Sequence, residues 1–353
     1  MQASSPLLIY GANGYSGRLI LAEALARGLR PILAGRSAEP VLALARQHGL
    51  EGRIAAVDDP DVVGRALDGV RAVLHCAGPF AHTSAPMVAA CLGRGVHYMD
   101  ITGEIAVFER LAAMDVAAKA AGVTLLPGVG FDVVPSDCLA AHLAKRLPAA
   151  VELTLAFSGG TGLSHGTATT MVENIGAGGV VRRGGRITPV PAAWRTRTIP
   201  FADRERLCVT IPWGDIATAW HSTGIPDITV YMATSPGTIR FLRLTRMIGG
   251  LLATRPAQSL LKRTIRARPA GPSAERRARA RSQLWGEVRD AAGNTAQSRL
   301  TAPDGYTLTA MAAVRAAERV LAGGVATGFQ TPSRAFGARF VLDIPFTSRE
   351  DLA

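Results

Sequence analysis

Lysine is scarce in this 353-residue chain: Lys119, Lys145 and Lys262 are the only three among 39 basic residues. The net charge of +12 is therefore carried by arginine, and most of it is local. Between Pro236 and Trp285, twelve basic residues face the single acid Glu275, which leaves the remainder of the chain nearly neutral. There is no zinc-finger spacing, helix-turn-helix pattern or aromatic RNA-binding signature, so this basicity does not define a nucleic-acid binder. Cysteine is equally thin. Cys76, Cys91, Cys138 and Cys208 lie far apart with no C-x-x-C pair, which argues against a disulfide framework or a metal site and reads as free thiols in a reducing compartment. No apolar run reaches the roughly 18 residues that cross a bilayer. The opening MQASSP lacks the basic and apolar regions of a secretory signal, so a cytoplasmic location is expected.

What the chain does have is alternation. Short apolar runs at 7–10, 31–34, 53–57, 71–75, 96–100 and 123–126 are separated by segments of helical spacing such as 17–27 and 104–120. That order predicts an α/β fold, a parallel sheet doubly wound with helices. A helix is expected from Pro135, stopped by Pro148. Beyond it VELTLAF (151–157) alternates, a glycine-rich turn SGGTG (158–162) precedes a possible helix at 166–176, and 187–200 reads as extended. RLCVTIPW, ITVYMAT and a hairpin over 282–302 turning near Gly293 and Asn294 add strands of a second, mostly antiparallel sheet. A strongly periodic helix spans 305–324. The expected domains are 1–147, 148–304 and a C-terminal segment 305–353.

The stretch LLIYGANGYSGRLI (7–20) sets Gly11, Gly14 and Gly17 between the first apolar run and a helix. Glycines are needed there for a tight turn, for close approach of a pyrophosphate and for close helix–strand contact, and the helix N-terminus favours anions. Three glycines alone also suit a plain packing turn; their place at the head of a β–α series points to a dinucleotide. The second strand ends in Gly35, Arg36 and Ser37, where NAD-binding proteins usually place an acid. An acid would repel a ribose 2′-phosphate, whereas Arg36 can pair with it and Ser37 can donate to it. The expected cofactor is NADP(H), with a solvent-facing Arg36 as the competing reading. Asp58 suits either the adenine amino group or a helix N-cap.

With GANGYSG, LAGRS, CAGPF (76–80), GVHYMDITGE (95–104), GVGFDVVPSD (128–137), SGGT (158–161) and GFQTPSRAFG (328–337) in order, the chain resembles the saccharopine dehydrogenase-like oxidoreductases, in particular the branch that includes bacterial trans-acting enoyl reductases. The resemblance implies a Rossmann domain, an inserted α+β substrate domain and a C-terminal return to the first domain. It implies nicotinamide cofactor binding by Gly11, Asn13, Gly14, Tyr15 and Gly17, with Ala12 in the same turn, and by Ala77, Gly78 and Pro79 at the end of the fourth strand. The chain departs from the family at His75, where Asn is frequent.

Reduction of C=C or C=N needs a proton donor beside the hydride source. Tyr98, Asp100 and Glu104, then Asp132 and Asp137, then His165 are the candidates, and Tyr98, Asp132 and His165 are carried forward as catalytic. Each acid also suits a cap or loop hydrogen bond, Tyr98 also suits the core, and His165 also suits the surface. Position 102 is Thr102, so Tyr98 has no Tyr-x-x-x-Lys partner, and there is no G-x-S-x-G elbow. The basic, amphipathic segment within 238–281, broken near Pro256, has three open readings: a solvated face, a membrane-surface segment, or a docking face for an acidic acyl carrier protein. The leading expectation is an NADPH-dependent reductase of an activated C=C bond in an acyl or polyketide-like substrate. C=N chemistry on an amino-acid-derived substrate and a non-catalytic, membrane-associated NADP-binding protein are the alternatives; a homodimer stays open.

Overall fold

The alternating runs resolve into β–α units. The computed structural model describes residues 7–159, 164–173, 178–252, 254–267 and 269–352; residues 160–162 of the glycine-rich turn lie outside them. In chain order come β1 (Leu7–Tyr10), α1 (Tyr15–Ala26), β2 (Ile32–Gly35), α2 (Ala38–His48), β3 (Gly52–Ile54), α3 (Pro60–Ala66), β4 (Ala72–His75), α4 (Phe80–Arg94), β5 (His97–Asp100), α5 (Ile105–Ala113), α6 (Asp115–Ala120) and β6 (Thr124–Leu126). There follow α7 (Val134–Arg146), β7 (Ala150–Ser158), α8 (His165–Glu173), β8 (Gly179–Arg183), β9 (Arg186–Val190), β10 (Thr196–Pro200), β11 (Glu205–Thr210), α9 (Asp215–Thr223), β12 (Asp227–Ala233), α10 (Pro236–Leu252), α11 (Arg255–Arg266), α12 (Ala274–Arg279), β13 (Arg281–Asp290) and β14 (Thr295–Pro303). The chain closes with α13 (Gly305–Ala322), β15 (Gly328–Phe329), α14 (Pro332–Phe336) and β16 (Ser348–Leu352).

Two compact units result. The first runs to Val134 and takes up Tyr306–Phe336; the second holds Pro135–Gly305 and the chain from Gly337. In the first, seven strands lie in the order β15-β6-β5-β4-β1-β2-β3, all parallel. This is the Rossmann order with one strand added, and it reverses direction between β1 and β4, where open α/β sheets bind ligands. β1, β2 and β4 are buried throughout, as strands covered on both faces must be. Leu8, Ile32, Val73, Tyr98, Leu125 and Phe329 pack in one core.

The helix expected over 104–120 is two, α5 and α6, parted at Met114. The Asp115 carboxylate at the start of α6 accepts from the Phe329 N–H at 2.8 Å and from Lys119 at 2.7 Å, which fastens β15 to this corner.

The second unit is built on a nine-stranded sheet, with the main path β10-β11-β12-β7-β13-β14-β16. Only β12 and β7 pair in parallel among the described residues; the other pairings are antiparallel. The β13–β14 hairpin turns at Gly293, where φ is +89°, and the Asn294 N–H donates to the Asp290 carboxylate at 2.8 Å. The expected boundaries at 147 and 304 fall elsewhere, at 134/135 and 305/306. The C-terminal segment divides: Tyr306–Phe336 lies in the first unit, while the chain from Gly337 lies in the second, where β16 adds to the edge of the sheet beside β14. Asp351 on β16 explains it. Its carboxylate accepts from the Ser298 hydroxyl at 2.6 Å, meets His142 Nε2 at 2.7 Å and lies 3.3 Å from Arg146.

Candidate dinucleotide site

The turn after β1 requires its glycines. Gly11 has φ +80°, and its N–H donates to the Ala34 carbonyl at 2.7 Å. A Cβ there would lie 2.8 Å from the Ala77 Cβ, so the β1 turn and the segment after β4 meet at the reversal of strand order. A Cβ on Gly17 would come within 2.3 Å of the Gly11 carbonyl oxygen; glycine lets α1 start hard against the turn. Gly14 is the N-cap of α1, with no side-chain cap and no acid in the first turn. The leading N–H groups and the positive end of the helix dipole are thus left for an anion. Tyr15 packs edge-on against Tyr306 at 5.0 Å, Ala12 is fully buried, and the Asn13 carbonyl accepts from Arg18 at 3.1 Å.

Arg36 and Ser37 are exposed at the end of β2, and Ser37 begins α2 without a side-chain cap bond. Asp58 is exposed after β3. The capping role that competed for Asp58 belongs to its neighbour: Asp59 accepts from the Asp61 and Val62 N–H groups at 3.2 and 3.1 Å. Arg36 and Asp58 both act electrostatically on Tyr10, whose hydroxyl donates to the Ala55 carbonyl at 2.8 Å. Burial pushes that phenol up to about 12. Among the described residues, neither Arg36 nor Asp58 has a hydrogen-bond or ion-pair partner.

After β4, Ala77 and Pro79 are half-buried and Gly78 is exposed. His75 lies beneath them, fully buried and stacked on Tyr10 with ring centroids 5.1 Å apart. Its Nε2 meets the Thr83 hydroxyl at 2.9 Å, and that hydroxyl donates to the Ala77 carbonyl at 2.7 Å. Desolvation drives the His75 pKa down to about 3, so the ring is neutral and shapes the loop. Glu104 is a cap: its carboxylate takes the Phe80 and Ala81 N–H groups at the start of α4, at 2.8 and 2.7 Å.

Tyr98 is corrected by the structure. It is fully buried and gives its hydroxyl to Asp100 at 2.8 Å, so it is a core residue with no proton to offer a ligand. Asp100, also fully buried, further accepts from the Thr102 and Gly128 N–H groups at 3.0 and 2.9 Å. Desolvation nevertheless outweighs these bonds and raises its pKa to about 6. Asp137 is buried in the second unit and accepts from Ser222. His165 opens α8 in that same unit, half-buried, its N–H donating to the Ala270 carbonyl at 3.1 Å. Asp132 differs from all of these. It is half-buried in the loop after β6 and lies over Gly103, where a Cβ would meet its Oδ2 at 2.7 Å. Its carboxyl has no hydrogen-bond partner among the described residues, and desolvation pushes its pKa up to about 6.

Helix N-terminus, glycine turn and strand ends together define a Rossmann-type nucleotide-binding unit. Residues 7–126 match the saccharopine dehydrogenase NADP binding domain family. Among curated proteins, the chain is 35% identical over 186 residues to a Mycobacterium tuberculosis protein named as a trans-acting enoyl reductase, covering 47% of this chain and 43% of that one. It is 32% identical over 152 residues to the trans-acting enoyl reductase of Mycobacterium leprae, covering 40% and 36%. It is 30% identical over 148 residues to an Arabidopsis thaliana protein named as a mitochondrial saccharopine dehydrogenase-like oxidoreductase, covering 37% and 33%. Each matched stretch covers less than half of the relative's own length. Apo saccharopine dehydrogenase (L-Glu forming) from Saccharomyces cerevisiae shares the fold across 98% of this chain and 99% of its own, with a TM-score of 0.66 at 11% identity.

Proposed function

We propose that the protein is an NADPH-dependent reductase of an activated C=C bond in an acyl-type substrate, with Asp132 as the proton donor. The observation that carries the chemistry is the Asp132 carboxyl: partly exposed, without a partner among the described residues, and titrating near 6. It lies beyond the carboxyl ends of β5 and β6, on the side of a parallel sheet where ligands bind. The enoyl substrate class is supported by the names of the relatives. When bound, NADPH supplies the hydride. The N-terminus of α1 and the glycine turn hold its pyrophosphate, and Arg36 and Ser37 hold the 2′-phosphate. Asp58 accepts from the adenine amino group, and Ala77, Gly78 and Pro79 border the nicotinamide end. Protonated Asp132 delivers the proton to the carbon next to the acyl carbonyl and leaves as the carboxylate.

The test is NADPH oxidation with an enoyl thioester, followed by absorbance. Wild type consumes NADPH in proportion to reduced thioester, and its rate falls as pH rises through about 6, where Asp132 loses its proton. Asp132→Asn lowers kcat by about 10²–10⁴-fold, the usual contribution of general acid catalysis, and leaves NADPH affinity unchanged. Turnover of imines in place of enoyl thioesters would assign C=N reduction to this chain instead. NADPH binding without turnover of either would overturn the catalytic reading.

A further inference from the structure

The outward face of α10 is unusual for a helix packed on a soluble domain. Ile239 is buried and Leu242 half-buried against the core formed with Ala193 and Val209, so this side of the helix points inward. At 100° per residue the opposite side carries Arg240, Phe241 and Leu244, a place usually left to charged and polar residues. Phe241 is 55% exposed and Leu244 52% exposed. α11 repeats the arrangement. Its Leu261, Lys262 and Ile265 are half-buried, while Leu260 is 67% exposed beside exposed Arg263. α8 packs against α11, joined by the Lys262–Glu173 ion pair at 2.7 Å, and it adds Met171 at 54% exposure.

Neighbouring helices of the second unit thus expose four large apolar side chains. The segment from Pro236 to Arg266 has seven basic residues and no acid; Lys262 is half-buried and pairs with Glu173, while Arg240, Arg243 and Arg263 are exposed. We infer that α10 and α11 form a docking surface for an anionic lipid bilayer, with Phe241, Leu244 and Leu260 entering the headgroup boundary and Arg240, Arg243 and Arg263 meeting lipid phosphates. Apolar groups inserted between interfacial arginines are what such a surface requires. An acidic carrier protein is the other occupant that the arginines would suit, and it is separated from a bilayer by the test below. The inference is independent of the proposed reduction, because it needs neither cofactor nor turnover.

Co-sedimentation of the full chain with vesicles tests it. Binding is expected to vesicles of phosphatidylglycerol mixed with phosphatidylcholine, at least tenfold tighter than to phosphatidylcholine alone, and weakened by salt. Phe241→Ser with Leu244→Ser should weaken binding at least tenfold at every salt concentration. Arg240→Glu with Arg243→Glu should remove the preference for the anionic lipid. All variants should keep wild-type NADPH affinity, which reports that the chain is folded. No binding to anionic vesicles, equal binding to both vesicle types, or wild-type binding by the serine variant would each overturn the inference. Binding of an acidic acyl carrier protein together with no binding to anionic vesicles would likewise overturn it and assign the face to that partner.

Discussion

Arg36 occupies the point where β2 gives way to α2, and its guanidinium is exposed with no partner among the described residues. A hydrogen bond to a charged group contributes about 1.5–3 kcal/mol, which corresponds to roughly 10–100-fold in affinity. Arg36→Ala is therefore expected to weaken NADPH by about that factor and leave NADH untouched, as read by fluorescence titration of both. Equal weakening of the two would place Arg36 away from the 2′-phosphate. Asp132 affects stability as well as turnover. Its folded pKa of about 6 lies above the 3.8 of a free aspartate, so folding favours its protonated form. Its contribution to stability is complete below about pH 4 and is lost as pH rises through 6. Asp100 titrates in the same window, and His75, its pKa lowered from 6.5 to about 3, contributes there with the opposite sign, so Asp132→Asn should remove one carboxyl's share of the pH dependence and leave those two. Much of this was legible from residues. The glycine turn was legible by its spacing and Arg36 by its place at the end of the second strand, whereas the catalytic reading of Tyr98 passed over the fact that Tyr98 and Asp100, two apart on one strand, face the same side. The choice of Asp59 over Asp58 as the cap was not, because it depends on backbone angles one residue apart.

Elements made of periodic sequence were the readable ones. β1 to β6 fall on the apolar runs, and Pro256 marks the break between α10 and α11 because proline is tolerated in a first turn, where it now lies. Elements fixed by distant partners were not. β15 has two residues and is held by Asp115 on α6, and no local pattern reports a bond spanning 214 positions. The junction of β1 and α1 is where an element-scale prediction is sharpest. Gly17→Ala places a methyl within 2.3 Å of the Gly11 carbonyl oxygen, and this backbone oxygen cannot swing aside. α1 must shift outward, moving the leading N–H groups that hold the pyrophosphate. Overpacking of this kind costs about 1–3 kcal/mol, so thermal unfolding should show a lowered midpoint, and NADPH affinity should fall by tenfold or more. Wild-type NADPH affinity in the alanine variant would mean that the helix start does not hold the phosphates.

At the scale of the whole molecule, each unit depends on chain from both ends of the sequence. α13 belongs to the first unit and buries Leu308, Val314 and Val320 with several alanines. At about 1.5–3 kcal/mol for each large apolar side chain, its loss alone approaches the 5–15 kcal/mol that holds an ordinary domain together. Its ties reach far back in sequence: Glu318 pairs with Arg27 at 2.7 Å, and the Thr309 hydroxyl accepts from the Phe131 N–H at 2.9 Å. A chain ending at Asp304 keeps the whole 7–126 match to the NADP-binding domain family, yet it is expected to lose NADPH binding because the first unit cannot close its core. A chain ending at Thr347 lacks only β16 and the Asp351 contacts with Ser298, His142 and Arg146. It should bind NADPH as wild type does, while β14, left as an open edge, makes the second unit less stable and more prone to aggregate. Titration of both truncations with NADPH separates the cases. Wild-type affinity in the shorter chain would show that the nucleotide site needs nothing beyond the first 304 residues, and that α13 is packing the site can do without.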